Sequence, residues 1–199
     1  RKLNLFEERA KRYEVPSINE RRNTPLEYCS LYRERFLPQQ VRSKAEGSKV
    51  TWILPPHKKY QKLGETALTD GLYGGSTYVE SWVGWEGTDA AFILDMNEEK
   101  EFSKIECDFL HQLGAWVLLP KGGRFSISCD GTEFTDFGTF TIAEDRDVRV
   151  KFTKGTAESA EPVKARYIKI EIDGTIECPY WHYGIGFPSW FFLDEVGVY

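Results

Sequence analysis

Hydrophobic and polar residues alternate with a period of two from residue 50 onward. Seven short segments show this pattern, and Gly, Pro, Asp or Asn residues separate them. One apolar and one polar face per strand is typical of antiparallel sheets that pack face to face. We therefore expect an all-β fold, an antiparallel β-sandwich or jelly roll, with strands at 50–54, 90–96, 103–110, 124–130, 147–153, 166–172 and 190–199.

The alternation also predicts which side chains face the core. Residues two apart lie on the same face of a strand, so each segment has one apolar set. For DVRVKFT and RYIKIEI the predicted inward-facing residues are Val148, Val150 and Phe152, and Ile168, Ile170 and Ile172.

The first 48 residues follow a helical period instead. In NTPLEYCSLYRERF, Thr24 is the predicted N-cap, Pro25 the first helical residue and Glu27 the residue that completes a capping box. An earlier helix is expected over 4–13, ending before Pro16. The apolar stripe of the second helix is predicted to comprise Leu26, Cys29, Tyr32 or Arg33, and Phe36, and Pro38 is expected to end this helix.

A hydrophilic stretch, SKAEGSK, separates the two patterns at 43–49. We place a domain boundary there, with a helical segment over 1–48 and a β-sandwich over 49–199. Both helices are short and amphipathic, so they need a surface to pack against. The helical segment is a candidate tail of a preceding domain.

Charge is distributed unevenly along the chain. The net charge is -5, but residues 1–48 carry 11 Lys/Arg against 7 Asp/Glu, whereas the remainder carries 15 against 24. An acidic body argues against nucleic-acid binding, which needs clustered positive charge. The sequence contains no apolar run of about 18 residues that would predict a membrane span. It also contains neither a Walker motif nor a G-x-S-x-G motif.

The four cysteines show neither zinc-ligand spacing nor a C-x-x-C pair. In IECDF, Cys107 alternates with Ile105 and Phe109, and in FSISCD, Cys129 follows an apolar set in the same way. We interpret both as buried free thiols, because a free cysteine behaves as a small hydrophobic residue. A disulfide is the alternative.

A Gly-rich turn, LTDGLYGG at 68–75, surrounds Asp70. Exposed backbone carbonyls together with a carboxylate can form an oxygen cage for a hard cation such as calcium. On these residues alone, a simple Asp-Gly turn that the aspartate side chain caps is favoured over a cation site.

Two adjacent carboxylates, Asp194 and Glu195, lie in the last predicted strand. Neighbouring strand residues point to opposite faces, so these two cannot form a facing acid/base pair. One of them should point inward between Phe192 and Val196, where a buried carboxylate requires a partner or a metal.

Tryptophan and tyrosine side chains are suited to hold sugars, since a flat ring packs against the C–H face of a pyranose while polar groups contact its hydroxyls. Trp52, Trp116 and Trp190 adjoin apolar runs and are expected in the core. Gly-rich connections contain the others, for which binding and structural roles both remain open: Trp82, Trp85 and Trp181.

The chain resembles the coagulation-factor type C, or discoidin, superfamily in an ordered series of motifs: ALTDGLYGG, WVGWEGTDAAFILDM, SKIECDFL, AWVLLP, RFSISCDGTEF, ARYIKIEI and WFFLDEVGVY. More closely, it is similar to family 32 type carbohydrate-binding modules that follow bacterial β-hexosaminidases and related glycoside hydrolases. The resemblance covers about residues 50–199. It implies a jelly roll of the galactose-binding-like type.

The resemblance also implies a structural calcium ion near the joined chain ends. Its ligands would include Asp70, the Leu68 carbonyl and Glu195. Asp95 matches the strand-end aspartate of the family and is expected to be structural. The segment YGGSTYVES at 73–81 departs from the compact turn of the family pattern.

Sugar contacts in such modules come from variable loops. The loop ECPYWHYGIGFPSW at 177–190 is longer and more aromatic than a hairpin requires. We expect Trp181, His182 and Tyr183 to contact carbohydrate, with Trp85 in support.

These observations predict a non-catalytic, carbohydrate-binding accessory module of a larger bacterial glycan-processing protein. Its partners would be a glycan and a parent catalytic domain, and the resemblance implies an extracellular or periplasmic location. The alternative is a structural or protein-interaction sandwich that packs on the parent domain without binding sugar. A self-contained glycosidase is not expected, because no motif pairs two carboxylates.

Overall fold

A computed structural model describes residues 8–15, 23–36, 42–61, 64–79 and 81–199. Within these ranges, residues 8–12 are α-helical and are called α1, and a second helix, α2, spans Pro25–Phe36. The described residues form seven strands: β1 Lys49–Leu54, β2 Val83–Glu86, β3 Ala90–His111, β4 Gly122–Ser128, β5 Thr135–Thr141, β6 Lys151–Asp173 and β7 Trp190–Val198. Every strand pairing is antiparallel, which confirms the predicted all-β class.

The long strands β3 and β6 run together through both layers of the sandwich. The first half of β3 pairs with β1 and with the end of β6, whereas its second half pairs with β7 and with the beginning of β6. The register breaks after Asp95, and Asn97 adopts a left-handed conformation with φ 68°. The pair of strands therefore bends there and passes from one layer into the other.

Each layer has its own strand order. One contains β1, the first half of β3, the second half of β6, β4 and β5; the other contains β2, β7 and the remaining halves of β3 and β6. Aromatic pairs bridge the layers: Trp52 lies 5.9 Å from Trp85, and Phe109 lies 5.9 Å from Phe140. The principal hydrophobic core fills the space between them.

The bend brings both ends of the β3–β6 pair to the same end of the sandwich. There His111 pairs with Lys151, and Ala90 pairs with Ile172. The connecting segments meet at this end, since Thr175 Oγ1 donates to the Leu119 carbonyl at 2.9 Å. Three long connections consequently gather at one place: 112–121, 142–150 and 174–189.

The alternating pattern located most of the strands. It did not predict β2 or β5, and it divided β3 and β6 into two segments each. The predicted core set of 166–172 is confirmed, because Ile168, Ile170 and Ile172 are all buried. The set of 147–153 is partly wrong: β6 begins only at Lys151, and Val148 is exposed.

Helix α2 begins with the predicted capping box. The Glu27 amide donates to Thr24 Oγ1 at 3.3 Å, and the Thr24 amide donates to Glu27 Oε2 at 2.8 Å. The predicted apolar stripe is wrong where it can be compared, since Leu26 and Cys29 are exposed and Tyr28 is buried instead. Outside the described residues lie Pro16, Pro38 and the side chains of Tyr32, Arg33 and Phe36.

All four cysteines are free. Cys107 is buried as predicted, but Cys129 is exposed, which contradicts its predicted burial. The reason is that β4 ends at Ser128, so the alternation no longer holds at the next residue. Within the described ranges, no helix is long and apolar enough to cross a membrane.

Candidate functional site

Trp181 lies in the 174–189 connection, and its indole is partly exposed. The indole Nε1 donates to Glu144 Oε2 at 2.8 Å, and the Arg146 guanidinium lies over the ring at 5.1 Å from its centroid. Both residues belong to the 142–150 connection. Two loops that are distant in sequence therefore fix the orientation of one aromatic ring.

The charged groups beside Trp181 are themselves paired. Arg146 Nε donates to Glu144 Oε1 at 2.7 Å, and Arg146 Nη2 donates to the Tyr180 hydroxyl at 3.5 Å. The hydrogen bond from Trp181 and the one from Arg146 lower the pKa of Glu144, while the same carboxylate raises the pKa of Arg146. Tyr180 is 77% exposed, so its ring extends this cluster into solvent. The arrangement presents aromatic surface together with fixed hydrogen-bonding groups.

Trp181 also stands between two clefts. One has a volume of about 510 Å³ and includes Glu144, Asp145 and Glu177; the other has a volume of about 540 Å³ and includes Arg146 and Tyr183. Both volumes are of the size that small-molecule sites have. Trp181 lines both clefts and is the lining residue that they share.

Tyr183 is 69% exposed, and its hydroxyl donates to the Gly114 carbonyl at 3.0 Å. Its ring stacks on His182 with a centroid separation of 4.4 Å. The ring is thus held at the surface of the second cleft. Its predicted contact with carbohydrate stays a prediction.

His182 is only 4% exposed, whereas its predicted contact with carbohydrate requires an exposed ring. The Gly184 amide donates to its Nδ1 at 3.1 Å, and its Nε2 lies 3.1 Å from the Leu113 carbonyl. Because Nδ1 accepts, Nε2 carries the proton and donates to that carbonyl. The two ring nitrogens thus connect the 174–189 and 112–121 connections, and the buried imidazole packs against the ring of Tyr183.

Trp85 has no exposed surface, so its predicted support of a sugar contact is wrong. Its ring lies parallel to that of Phe191 at 5.2 Å, and its Nε1 donates to the Leu54 carbonyl at 3.1 Å. The cause is β2, whose pairing with β7 places Trp85 opposite Phe191 in the core. Trp82 is likewise buried, and its Nε1 donates to the Gly75 carbonyl.

Three residues of the Trp181 cluster were missed by the sequence analysis: Glu144, Arg146 and Tyr180. The dense charges of EDRDV at 144–148 were a signal, but they marked only a polar connection. The contact between Glu144 and Trp181 spans 37 residues of sequence. It becomes visible only once β5 and β6 are placed.

The residues predicted for calcium lie in the 68–75 turn and in β7. A β-bulge opposite Asp108 interrupts the alternation there, since Phe109 pairs with Leu193 and Cys107 with Val196. As a result Leu193 and Val196, three residues apart, both enter the core. Asp194 and Glu195 are both buried, whereas only one of them was expected to point inward.

The 68–75 turn covers this pair of carboxylates. The Val196 amide donates to the Leu68 carbonyl at 2.9 Å, and the Gly74 amide donates to Asp194 Oδ2 at 2.6 Å. The structure thus brings Leu68 beside Glu195. Asp70 is exposed, and its Oδ1 accepts from the Leu72 amide at 2.9 Å, as expected for a side-chain-capped turn.

The surroundings of Asp194 and Glu195 are acidic and buried. Burial, together with Tyr199 and the carboxylates of Glu195, Asp194 and Asp108, raises the pKa of Tyr73. Among the described residues, no group of three or more His, Cys, Asp or Glu side chains is arranged to hold a metal ion. A cation at the turn would consequently depend on backbone carbonyl oxygens in addition to carboxylates.

Comparison with known families identifies one match. The sequence model of the F5/8 type C domain matches residues 50–191. No curated protein sequence matches the chain.

Solved structures share the fold at low sequence identity. The CBM32-1 module of a family 31 glycoside hydrolase from Clostridium perfringens is 20% identical, with a TM-score of 0.51 over 81% of this chain and 99% of that chain. A fucolectin from striped bass, Morone saxatilis, is 17% identical, with a TM-score of 0.50 over 80% of this chain and 49% of that chain. SpGH29 is 18% identical, with a TM-score of 0.49, and the match covers 79% of this chain but 27% of that chain.

Proposed function

The chain belongs to the F5/8 type C domain family, and from this premise we propose that it is a non-catalytic carbohydrate-binding module. The observation that carries the proposal is Trp181, a partly exposed indole that Glu144 and Arg146 hold between two clefts. The CBM32-1 module and the fucolectin, which share the fold, are by name a carbohydrate-binding module and a lectin.

The chemistry of the cluster suits a sugar. An indole ring packs against the apolar C–H face of a pyranose, and Trp and Tyr combine such a surface with a polar edge. Glu144 accepts and Arg146 donates hydrogen bonds, so both kinds of contact to sugar hydroxyls are available beside the ring. Their mutual ion pair keeps them in place before a ligand arrives, which reduces the entropic cost of binding.

The proposal extends to the role of the module in a larger protein. The module would hold a parent glycan-processing enzyme near its polysaccharide, outside the cytoplasm, and the catalytic residues would belong to that parent domain. The competing proposal is a protein-interaction sandwich. It is favoured by the exposed apolar side chains of Ile185 and Phe187, which are 56% and 61% exposed in the same loop.

The decisive experiment is a printed array of mammalian, plant and bacterial glycans, probed with the wild type, Trp181→Ala and Phe134→Ala. Phe134 is the matched aromatic control. It follows β4, which runs from Gly122 beside the loop end to Ser128 at the opposite end, about 20 Å away. We expect binding of a defined glycan group by the wild type and by Phe134→Ala, and loss of that signal in Trp181→Ala.

Two results would count against carbohydrate binding. Folded wild-type protein that binds no glycan would favour the protein-interaction sandwich. Retained binding by Trp181→Ala would move the sugar site away from the Trp181 cluster. Circular dichroism of each variant establishes that the protein is folded in either case.

We also propose a structural calcium ion at the 68–75 turn. The donors would be Glu195, the Leu68 carbonyl and Asp70, all of them oxygen ligands of the kind that calcium prefers. The contact between Leu68 and the strand residue after Glu195 supports the first two. The ion would tie the turn to β7 and neutralise part of the buried negative charge there.

A further inference from the structure

The 142–150 connection, which carries Glu144 and Arg146, has no regular secondary structure. Its conformation therefore depends on side-chain contacts. Some of these come from the sandwich itself: Lys151 Nζ contacts Asp145 Oδ2 at 2.7 Å, and His111 Nε2 lies 2.7 Å from the Asp147 carbonyl.

Other contacts come from the helical segment that precedes the sandwich. Asn23, which is 2% exposed, accepts from the Val150 amide through Oδ1 at 3.0 Å and donates to the Val150 carbonyl through Nδ2 at 3.4 Å. The side-chain amide thus pairs with both backbone polar groups of Val150, as a neighbouring strand would. Val150 is itself buried, so losing this partner would leave two backbone groups without their hydrogen bonds in a dry environment.

A second contact lies one residue earlier. Arg149 Nη1 is 3.2 Å from Glu27 Oε1, and the Arg149 guanidinium also pairs with Asp147. The Glu27–Arg149 pair is substantially exposed, so its energetic contribution is small compared with that of buried Asn23. Its geometry nevertheless places the first turn of α2 directly on the 142–150 connection.

We propose that Asn23 is a positioning residue for the Trp181 cluster. Its two hydrogen bonds to Val150 fix one end of the 142–150 connection. This connection carries Glu144 and Arg146, which contact the indole of Trp181. The expected effect of Asn23 on glycan binding rests on the proposed function. The placement of the loop by Asn23 can be measured without any glycan. Asn23 and α2 precede residues 50–191, which match the family, so this support is a feature of the chain beyond the shared domain.

The first test is residue-resolved hydrogen exchange by NMR on the complete chain. In Asn23→Ala the Val150 amide should exchange at least about 10-fold faster, because its acceptor is gone. The Ile170 amide, in the middle of the β6 ladder, should keep its protection. The matched controls are Ser30→Ala, an exposed polar position on α2, and Ile168→Val, which destabilises the core without touching the connection.

The second test measures what the loop does to the cluster. Acrylamide quenching is compared in backgrounds with and without Trp181→Phe, and the difference reports the accessibility of Trp181. Affinity electrophoresis in gels cast with mucin reports binding. Asn23→Ala should raise the accessibility of Trp181 and weaken retention about 3- to 10-fold, whereas Ser30→Ala and Ile168→Val should change neither.

The outcomes separate this inference from the proposed function. If the Val150 amide and Trp181 accessibility are unchanged in Asn23→Ala, the positioning role is overturned. Equal weakening of retention by Ile168→Val would also overturn it, since general instability would then explain the effect. If wild-type protein is not retained by mucin or by any array glycan, the proposed function fails. In that case, faster exchange of the Val150 amide and greater accessibility of Trp181 in Asn23→Ala would still support the placement of the loop by Asn23.

Discussion

Arg166 donates two parallel hydrogen bonds to Asp95, from Nε to Oδ1 at 2.7 Å and from Nη2 to Oδ2 at 2.8 Å. The pair joins β6 to β3 immediately before Asn97, where β3 leaves one layer for the other. The Asn97 amide also donates to Asp95 Oδ1, at 2.8 Å. Asp95 is thus structural, as the family resemblance implied, and it stabilises the bend of β3.

The Asp95–Arg166 pair should make the free energy of unfolding depend on pH. The hydrogen bonds from Arg166 lower the pKa of Asp95 in the folded state. A lowered folded-state pKa contributes stability that is present above the unfolded-state value of about 3.9 and is lost as the pH falls through the folded-state value. Asp95→Asn should therefore lower the free energy of unfolding by about 1–2 kcal/mol at pH 7, with the difference shrinking below about pH 4.

Urea unfolding of the wild type and Asp95→Asn at pH 7, 5 and 3.5 measures this difference directly. Taking the difference removes the contribution of the other carboxylates. A gap between the two proteins that stays constant down to pH 3.5 would be inconsistent with the proposed role of the Asp95 charge.

Trp85 and Trp181 should respond in opposite ways to truncation. Trp85→Ala removes a fully buried ring that stacks on Phe191, and we expect a loss of about 3–5 kcal/mol in the free energy of unfolding. Trp181→Ala removes a partly exposed ring, and we expect less than about 1 kcal/mol. Chemical denaturation monitored by far-UV circular dichroism provides both values, with Trp85→Phe as a milder control. Similar losses for the two alanine variants would contradict the assignment of separate roles.

The thiols should divide into two classes. Cys29 and Cys129 are exposed, whereas Cys107 and Cys178 are buried, and burial raises the pKa of the Cys107 thiol. Reaction of the reduced, native protein with Ellman's reagent should therefore release two equivalents quickly, and all four only in denaturant. Cys129→Ser should reduce the fast phase to one equivalent. Fast reaction of four thiols in the native protein would contradict the burial of Cys107 and Cys178.

Calcium at the 68–75 turn should appear as a thermal shift. An ion that binds only the folded state, at about 100 times its dissociation constant, adds about 2.7 kcal/mol, or roughly 5–10 °C for a chain of this size. Differential scanning fluorimetry with EDTA, calcium and magnesium compares the conditions. Glu195→Gln should abolish the calcium-dependent shift, whatever its effect on the baseline melting temperature. The absence of a shift in the wild type, or an equal shift with magnesium, would refute a dedicated calcium site.

The alternating pattern was sufficient for the fold class because most strands have one wet and one dry face. It failed at β5, where the register slips between Phe125 and Ser126, so that Phe137 and Phe140, three residues apart, both pack on the core. It also failed at β2, which is only four residues long and contains Gly84. A pattern of period two cannot detect a strand that a bulge or a short length prevents from alternating.

The candidate site was predicted only as far as single loops allow. The aromatic loop at 177–190 drew attention to Trp181 and Tyr183, which the structure places beside the clefts. Whether a ring in such a loop is exposed depends on partners from elsewhere, and this is why the burial of His182 was not predicted. The partners of Trp181 could not be predicted, because the 142–150 and 174–189 connections meet only through the topology of β3 and β6.

The topology of β3 and β6 also has a consequence for how the protein unfolds. The two layers share β3 and β6, with one half of each strand in either layer, so unfolding of one layer releases strands that the other layer contains. The sandwich should therefore unfold as one cooperative unit, with fluorescence and circular dichroism reporting the same midpoint. The bend at Asn97, where β3 passes from one layer to the other, thus couples the stability of the two layers.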